Sequence, residues 1–280
     1  MSSSSTGTHL FTIPIPPQGP HVGGSITATS PSPQIYLLSI SSPPDNRLTT
    51  ASCTALLDAL DLIEFSPDKF PPGVLITTSA ITKFYSNGLD LEHALGTPGF
   101  LPKILYKLFH RFLTYPMPTI ALLPGHAFAG GLMLAMHHDY RVMSPSKGFA
   151  CINELEFGVP LKAAMSSIFR LKLPAATYRQ LVLEAHRFGG KEALEGGIVD
   201  RLGGLEAVLE LVKEKKLTGK AKTGIYGLLK AEMYRESVKF LSEKGYEEEE
   251  EKDKKLIESE DRRREEAEKK LDGIKAKAKL

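Results

Sequence analysis

The sequence lacks the features of a disulfide-bonded, nucleic-acid-binding or membrane protein. Only two cysteines occur in 280 residues, and Cys53 and Cys151 have neither a CxxC pair nor metal-ligand spacing. This is typical of free, packed thiols in a reducing compartment. The 35 basic and 33 acidic residues leave a net charge of +2, so no global field attracts nucleic acid or an anionic membrane. No apolar run reaches the roughly 18 residues of a membrane span, and we expect a soluble protein.

Targeting signals are absent from the N-terminal sequence but not from the C-terminal one. Neither Lys nor Arg precedes Arg47, which excludes a charged secretory n-region and an Arg-rich presequence. The chain ends in Ala278-Lys279-Leu280, a conservative variant of the Ser-Lys-Leu signal that the peroxisomal import receptor binds. We predict a flexible tail over residues 274–280 that exposes this tripeptide. The sequence therefore predicts a peroxisomal location, with the cytoplasm as the alternative.

The composition divides the chain into an N-terminal segment, an α/β core and a helical region. Residues 1–33 are rich in Ser, Thr, Pro and Gly, and we expect a possible edge strand and little chemistry there. Over residues 34–200, short apolar runs alternate with helical periodicity, which predicts a mostly parallel sheet covered by helices. Residues 201–273 predict helices, and the alternating acidic run 247–251 and basic run 262–264 favour a solvated helix over a nucleic-acid surface.

A glycine pair marks a place where a ligand could approach the backbone. Gly130 and Gly131 close the loop AFAGG and begin an amphipathic helix, so unpaired N–H groups there could bind a negative oxygen. A phosphate-binding P-loop is excluded, because Gly131 and Leu132 stand where Lys and Ser or Thr are required. Taken alone, the two glycines favour the simpler explanation that they allow tight packing between helix and strand.

Three segments together resemble the crotonase (enoyl-CoA hydratase/isomerase) superfamily. The segment PTIALLPGHAFAGGLMLAMHHDYRV resembles its central signature, FYSNGLDL its earlier oxyanion loop, and HRFGGKEALEGGIVDRL a later helix that leads into G-x-V-D. The resemblance covers residues 34–215. It implies a ββα spiral with a helical C-terminal region, an acyl-CoA substrate, a homotrimer or hexamer, and no cofactor beyond the coenzyme A that the substrate carries.

The resemblance also implies an oxyanion hole made by backbone amides. Its two N–H donors fall on Leu89 and Gly130, one in each loop. Removing a proton beside a thioester carbonyl builds charge on the carbonyl oxygen, and each preorganised donor is worth about 100- to 1000-fold in rate. The neighbouring residues predicted to contact the substrate are Asn87, Gly88, Gly131 and Met133.

The base implied by the resemblance is Glu154. The segment CINELEFG resembles the stretch that carries the catalytic acid in isomerases and hydratases of the family. Glu156 is the rival, because residues i and i+2 share one face of a strand. We expect burial among apolar neighbours to raise the pKa of Glu154 and to make it a better base. These neighbours are Phe149, Ile152, Leu155 and Phe157.

One departure from the hydratase pattern favours an isomerase. Hydratases of the family carry a second Glu three residues after the oxyanion glycine, and this chain has Met133 there. A single carboxylate suffices to take a proton from C2 and return it at C4. The sequence therefore predicts an enoyl-CoA delta-isomerase that converts 3-enoyl-CoA into trans-2-enoyl-CoA in fatty acid β-oxidation. The alternatives are a hydratase or another enolate-forming acyl-CoA enzyme, and a non-catalytic acyl-CoA-binding or scaffold subunit.

Neither a metal site nor a serine hydrolase is indicated. His126, His137 and His138 do not have HExxH spacing and have no evident third ligand, so we predict no metal. Ser86 and Asp90 with His126 could suggest a hydrolase, but the G-x-S-x-G elbow is absent and Ser86 has no positioned base.

Overall fold

The computed structural model describes residues 7–278, apart from the side chain of Asp272. Lys279 and Leu280 of the predicted targeting tripeptide lie outside the described residues. The strands of the described part are β1 (Thr8–Ile15), β2 (Gly24–Ser32), β3 (Ile35–Ser41), β4 (Val74–Ser79), β5 (Phe84–Ser86), β6 (Thr119–Leu123), β7 (His126–Phe128), β8 (Tyr140–Met143), β9 (Ala150–Cys151) and β10 (Arg201–Leu202).

Helices follow half of these strands. A π-helix spans Phe100–Leu105 and a 3₁₀ turn spans Leu217–Gly219. The α-helices are α1 (Thr50–Glu64), α2 (Leu91–Gly96), α3 (Tyr106–Thr114), α4 (Gly130–Met136), α5 (Glu154–Phe157), α6 (Ala163–Lys172), α7 (Ala175–Leu183), α8 (Gly190–Glu195), α9 (Leu205–Glu214), α10 (Tyr226–Met233), α11 (Arg235–Phe240) and α12 (Glu243–Ala278).

Two sheets organise the fold. The larger sheet has the order β1-β2-β3-β4-β6-β8-β10, and the smaller has the order β5-β7-β9. Every pair from β3 to β10 in the larger sheet is parallel, as are both pairs of the smaller one. Each turn of the chain adds one strand to each sheet and then a helix, as in β6, β7 and α4. The predicted ββα spiral with a mostly parallel sheet is therefore confirmed.

The N-terminal segment contributes more to the sheet than its composition indicates. Where one edge strand is predicted, β1 and β2 form an antiparallel extension that joins β3, with Ile26 opposite Ile40 and Ala28 opposite Leu38. Ile26 and Ala28 are fully buried. At the other end, β10 joins β8 from a region predicted as helices only. The sheet therefore crosses both predicted boundaries, because strand pairing depends on neighbours that are distant in sequence.

Helix α1 shows how local sequence and core packing agree. Thr49 caps its first turn, and the Thr49 backbone N–H donates to the Ser52 hydroxyl over 2.9 Å, which completes a capping box. One face buries Cys53, Leu56 and Leu60 against the sheet. Burial of each leucine side chain contributes about 1.5–3 kcal/mol. Cys53 and Cys151 are both buried and unpaired, as the sequence predicts.

From Tyr226 onward the described chain forms three helices, α10, α11 and α12, rather than the one long charged helix that the sequence predicts over residues 224–271. The break between α10 and α11 falls at Tyr234, whose backbone leaves the helical region at φ −111° and ψ 26°. The turn allows two helices to contact different parts of the core. Lys230 of α10 donates to the Phe112 carbonyl over 2.9 Å, while Ser237 of α11 hydrogen-bonds Ser167 over 2.8 Å.

Helix α12 combines a packed start with a solvated remainder. Its acidic run is only partly solvated, because Lys162 donates to Glu250 over 2.7 Å and to Asp253 over 2.6 Å. On the exposed face of the helix, ion pairs between neighbouring turns, such as Lys255 with Glu251 at 2.6 Å, support the helical conformation. The helix continues to Ala278, where a flexible tail is predicted. Among residues 7–278, no helix is both long enough and apolar enough to cross a membrane.

A buried ion pair fastens α10 to the core. Lys230 lies 2.8 Å from a carboxylate oxygen of Asp139, and the two side chains are 6% and 10% exposed. Asp139 also accepts from the Thr119 backbone N–H over 2.8 Å and from the Tyr226 hydroxyl over 3.2 Å. The carboxylate therefore joins the start of β6, the end of α4 and α10.

We expect Lys230→Met to lower the free energy of unfolding by about 3–5 kcal/mol, because it leaves the Asp139 charge buried without its cation. The matched control is Arg263→Met, which removes an exposed pair with Glu260 on α12 and should lower stability by less than about 1 kcal/mol. Urea denaturation of both variants measures the difference. Equal losses would contradict a stabilising role for the buried pair.

Candidate active site

A cavity of about 230 Å³ brings together residues from four separate parts of the chain. Three of the predicted site residues share its wall, namely Asn87, Leu89 and Glu154. The other lining residues are Arg47, Leu91, Ala129, Asn153, Phe157 and Val159. The wall is therefore largely apolar, with a carboxylate, a guanidinium and two amides at fixed positions.

The two loops predicted to form the oxyanion hole are in direct contact. A Cβ atom added to Gly130 would lie 3.2 Å from the Leu89 nitrogen. Among residues 7–278, no oxygen accepts a hydrogen bond from the backbone N–H of Leu89 or of Gly130. Two neighbouring N–H groups are thus available, one on the cavity-lining Leu89 and one on Gly130, which follows the cavity-lining Ala129. Such a pair can stabilise negative charge on a bound oxygen.

Glycines permit this contact. A Cβ atom on Gly88 would lie 2.7 Å from the Phe128 carbonyl oxygen, and one on Gly131 would lie 2.3 Å from the Ser86 carbonyl oxygen. Between these loops, Ala129 has φ 48° and ψ −124°, a conformation that costs a non-glycine residue about 1–3 kcal/mol. Its N–H donates to the Cys151 carbonyl over 2.9 Å. The surrounding backbone therefore holds the turn that begins α4.

Glu154 is the only carboxylate on the cavity wall within the described residues. Its Oε2 atom is buried, with no hydrogen-bond partner among residues 7–278. Burial raises the pKa of Glu154 to about 7, as the sequence predicts. The apolar neighbours of Glu154 differ in part from those predicted. Phe157 and Val159 line the cavity, whereas Phe149 and Leu155 are 42% and 58% exposed.

The backbone separates Glu154 from its rival Glu156. Glu154–Phe157 form a helical turn that ends at Gly158 with φ 65°. The segment is therefore not a strand, on which residues i and i+2 would share one face. Residues i and i+2 of a helix point in different directions. Glu156 is exposed and pairs with Arg187 at 3.2 Å, so it does not face the cavity.

The remaining residues predicted to contact the substrate do not line the cavity. Within the described part of the chain, Gly88, Gly130, Gly131 and Met133 are not among the lining residues. The three glycines form the junction between the loops, and their predicted contribution is through the backbone. Met133, at 1% exposure, belongs to the hydrophobic core. A direct contact between Met133 and substrate stays a prediction.

Sequence reasoning missed the polar residues that hold the first loop. Arg47 Nη1 donates to the Leu89 carbonyl over 3.0 Å and to the Asn87 carbonyl over 3.4 Å, while its Nε donates to Asp45 over 3.1 Å. The Asn87 side chain donates to the same carboxylate over 2.6 Å. Asp45 and Arg47 belong to a segment whose only sequence signal is a turn. Their role depends on β3 ending beside the loop.

Two of the three histidines predicted not to bind metal, His137 and His138, are packed in the core. His137 stacks on Phe109 and His138 on Phe112, with ring centroids 4.4 and 4.1 Å apart. Burial lowers the pKa of both, that of His137 to about 3. Among the described residues, no group of three or more His, Cys, Asp or Glu could hold a metal ion.

The Ser86, Asp90 and His126 side chains do not form a triad. Ser86 donates to the Asn46 carbonyl over 2.8 Å, and Asp90 pairs with His21 at 2.6 Å. His126 accepts from the Phe149 N–H over 3.1 Å. Each of these side chains has a separate structural partner, so the arrangement does not activate a serine nucleophile.

Comparison with known proteins assigns the family. A family model described as enoyl-CoA hydratase/isomerase matches residues 32–272. The chain belongs to the enoyl-CoA hydratase/isomerase family. This confirms the resemblance to crotonases, and the chain is an enzyme of that family.

Relatives within the enoyl-CoA hydratase/isomerase family include plant isomerases. The chain is 32% identical over 213 residues to enoyl-CoA delta isomerase 1, peroxisomal, of Arabidopsis thaliana, an alignment that covers 72% of this chain and 87% of the relative. It is 30% identical over 217 residues to enoyl-CoA delta isomerase 2, peroxisomal, of the same plant, covering 72% and 89%. The solved structure of a Mycobacterium tuberculosis enoyl-CoA isomerase superposes with a TM-score of 0.64 at 26% identity, covering 77% of this chain and 96% of that one.

We expect Glu154→Gln to stabilise the protein at pH 8 and not at pH 4. A carboxyl whose folded-state pKa is raised contributes full stability below the unfolded pKa, and that contribution is lost as pH rises through the folded pKa, here about 7. Replacing the buried charge with an amide at pH 8 should gain up to about 3 kcal/mol.

Urea denaturation at both pH values measures this difference in the free energy of unfolding. Glu156→Gln is the control, because Glu156 is exposed and paired outside the cavity. If Glu154→Gln changed stability equally at pH 4 and pH 8, the inference that burial destabilises the ionised carboxylate of Glu154 would be wrong.

Proposed function

We propose that this chain is an enoyl-CoA delta-isomerase that converts 3-enoyl-CoA into trans-2-enoyl-CoA. One observation carries the proposal: the Glu154 carboxylate, with a pKa of about 7, lines the same cavity as Leu89, whose backbone N–H has no acceptor among residues 7–278 and is a neighbour of the equally unpaired N–H of Gly130. The names of the two Arabidopsis relatives support the same reaction.

The first step needs a base and an oxyanion hole. The Glu154 carboxylate takes a proton from C2 of the 3-enoyl thioester, and the electron pair moves onto the thioester oxygen. The N–H groups of Leu89 and Gly130 then donate hydrogen bonds to this oxygen, each worth about 100- to 1000-fold in rate. A base with a pKa of about 7 is suited to proton transfer near neutral pH.

The second step returns the same proton. Protonated Glu154 gives it to C4 of the dienolate, the C2–C3 double bond forms, and the charge on the oxygen is lost. No atom is gained or lost overall, and Glu154 is again a carboxylate. The wall beside Glu154 is largely apolar, with Leu89, Phe157 and Val159 among its lining residues.

Hydration is the competing reaction, and it needs a second carboxylate. The position that carries a second Glu in hydratases of the family is Met133 here, which is buried in the core. Glu154 therefore has no carboxylate partner on the cavity wall within residues 7–278. This supports proton shuttling over addition of water.

A peroxisomal location and a role in fatty acid β-oxidation belong to the same proposal. Both Arabidopsis isomerases carry the word peroxisomal in their names. The tripeptide Ala278-Lys279-Leu280, the import receptor as its partner and the homotrimer or hexamer stay predictions from the sequence.

Incubation of 3-enoyl-CoA with wild type, Glu154→Gln and Glu156→Gln tests the proposal, with 2-enoyl-CoA and 3-hydroxyacyl-CoA measured separately. Wild type should form 2-enoyl-CoA, at a rate that rises with pH through about 7 as Glu154 ionises. Glu154→Gln should lose at least about 100-fold, the usual contribution of a general base. Glu156→Gln should match wild type. Dominant 3-hydroxyacyl-CoA, or an active Glu154→Gln, would overturn the assignment.

The junction of the loops gives a second test. In Gly131→Ala the new Cβ atom would lie 2.3 Å from the Ser86 carbonyl oxygen, so the loops must separate and the two N–H groups must move apart. We expect turnover to fall by about 100-fold or more. Gly96→Ala on α2 meets open space within 4 Å and should keep wild-type turnover. Equal turnover of both variants would contradict the predicted oxyanion hole.

A further inference from the structure

The N-terminal segment reaches the loop that carries Leu89. Between β1 and β2, Gln18 and His21 exchange backbone hydrogen bonds of 3.0 Å and form a tight turn, which we call the N-terminal turn (residues 16–22). The Gln18 side chain accepts from the Ala51 N–H over 2.9 Å at the start of α1. The N-terminal turn is therefore held against the helical layer beside the cavity.

A side-chain contact links the N-terminal turn to the residue that follows Leu89. His21 Nε2 lies 2.6 Å from Asp90 Oδ2, and the two side chains are 14% and 17% exposed. The other oxygen of Asp90 accepts from the His93 N–H over 2.8 Å and caps α2. One carboxylate thus connects the N-terminal turn, the Leu89 loop and α2, whose first residue Leu91 lines the cavity.

Several contacts restrain the backbone on either side of Leu89. Before Leu89, the Gly88 carbonyl accepts from the Leu48 N–H over 2.8 Å. After it, the Leu89 carbonyl accepts from Arg47 Nη1 over 3.0 Å, and the Asp90 N–H reaches the Leu48 carbonyl over 3.4 Å, a long and weak hydrogen bond. The Asp90 side chain therefore shares with Arg47 the restraint on the C-terminal side of Leu89.

Asp90 is ionised in this setting. Its burial raises the pKa, but hydrogen bonds from the His93 N–H and from His21, with the nearby charges of His21 and Arg47, outweigh this and hold the pKa of Asp90 below its usual range. Hydrogen bonds to a carboxylate are stronger than those between neutral groups. The contact holds whether His21 is neutral with its proton on Nε2 or charged.

We propose that His21 is a positioning residue for the oxyanion hole. By holding Asp90, it keeps the Leu89 N–H directed at the thioester oxygen, so an N-terminal segment with no chemistry of its own contributes to turnover. The inference rests on the proposed function, in which Leu89 donates to the enolate oxygen.

Steady-state kinetics with 3-enoyl-CoA test the inference in His21→Ala. Loss of orientation acts on the transition state, so kcat should fall about 10-fold while KM changes less than about twofold. His21→Gln should restore most of kcat, because its side-chain amide can donate to Asp90. The control is His9→Ala on β1, an exposed histidine that contacts only Thr12 among its side-chain partners in residues 7–278, and it should match wild type.

A double-mutant cycle identifies Asp90 as the link. Asp90→Asn keeps a good helix cap for α2 but weakens the contact with His21. His21→Ala should then lower kcat far less in the Asp90→Asn background than in wild type. Equal effects of His21→Ala in both backgrounds, or an unchanged kcat in His21→Ala alone, would overturn the inference.

Amide hydrogen exchange separates this inference from the proposed function. In the enzyme without substrate, His21→Ala should speed exchange at residues 88–91, whereas His9→Ala and Glu154→Gln should not. If wild type forms no 2-enoyl-CoA, the proposed function fails, and the exchange rates still decide whether His21 holds the loop. If Glu154→Gln is inactive but His21→Ala changes neither exchange nor kcat, only the positioning role fails.

Discussion

The close contact between two backbone loops is the constraint on which the cavity depends. Pairing of β5 with β7 sets Ser86 beside Ala127, so the chain segments that follow these strands emerge at the same edge of the small sheet. Without side chains on Gly88 and Gly131, the loops approach to distances that any Cβ atom would prevent. The free N–H groups of Leu89 and Gly130 are neighbours only because of this approach.

The Glu154 carboxylate, which shares the cavity wall with Leu89, is unfavourable for stability and suited to proton transfer. Burial raises the pKa of Glu154 to about 7, and its Oε2 atom has no hydrogen-bond partner among residues 7–278. A salt bridge would lower that pKa again and would leave a weaker base. Glu156, two residues later, is exposed and paired with Arg187. The two glutamates differ through their surroundings alone.

Polar residues distant from the motifs hold the cavity in shape. Arg47 donates to two carbonyls of the Leu89 loop, and the His21–Asp90 contact restrains the residue that follows Leu89. Farther out, the buried pair of Lys230 and Asp139 fixes the end of α4 to α10. Each of these contacts joins segments far apart in the chain, so the cavity depends on the fold as a whole.

The sequence by itself determined the alternation of strands and helices through the periodicity of its apolar residues, and its resemblance to crotonases implied the two glycine-bearing loops and the candidate base Glu154. Both signals are local properties of the chain. Tertiary structure alone decided that Glu154 begins a helical turn, that β1 and β2 extend the sheet, and that the C-terminal helix breaks at Tyr234. It also decided which residues Arg47 and His21 contact. These features depend on which distant segments meet, and a partner across the sheet or the cavity leaves no periodic signal in the sequence.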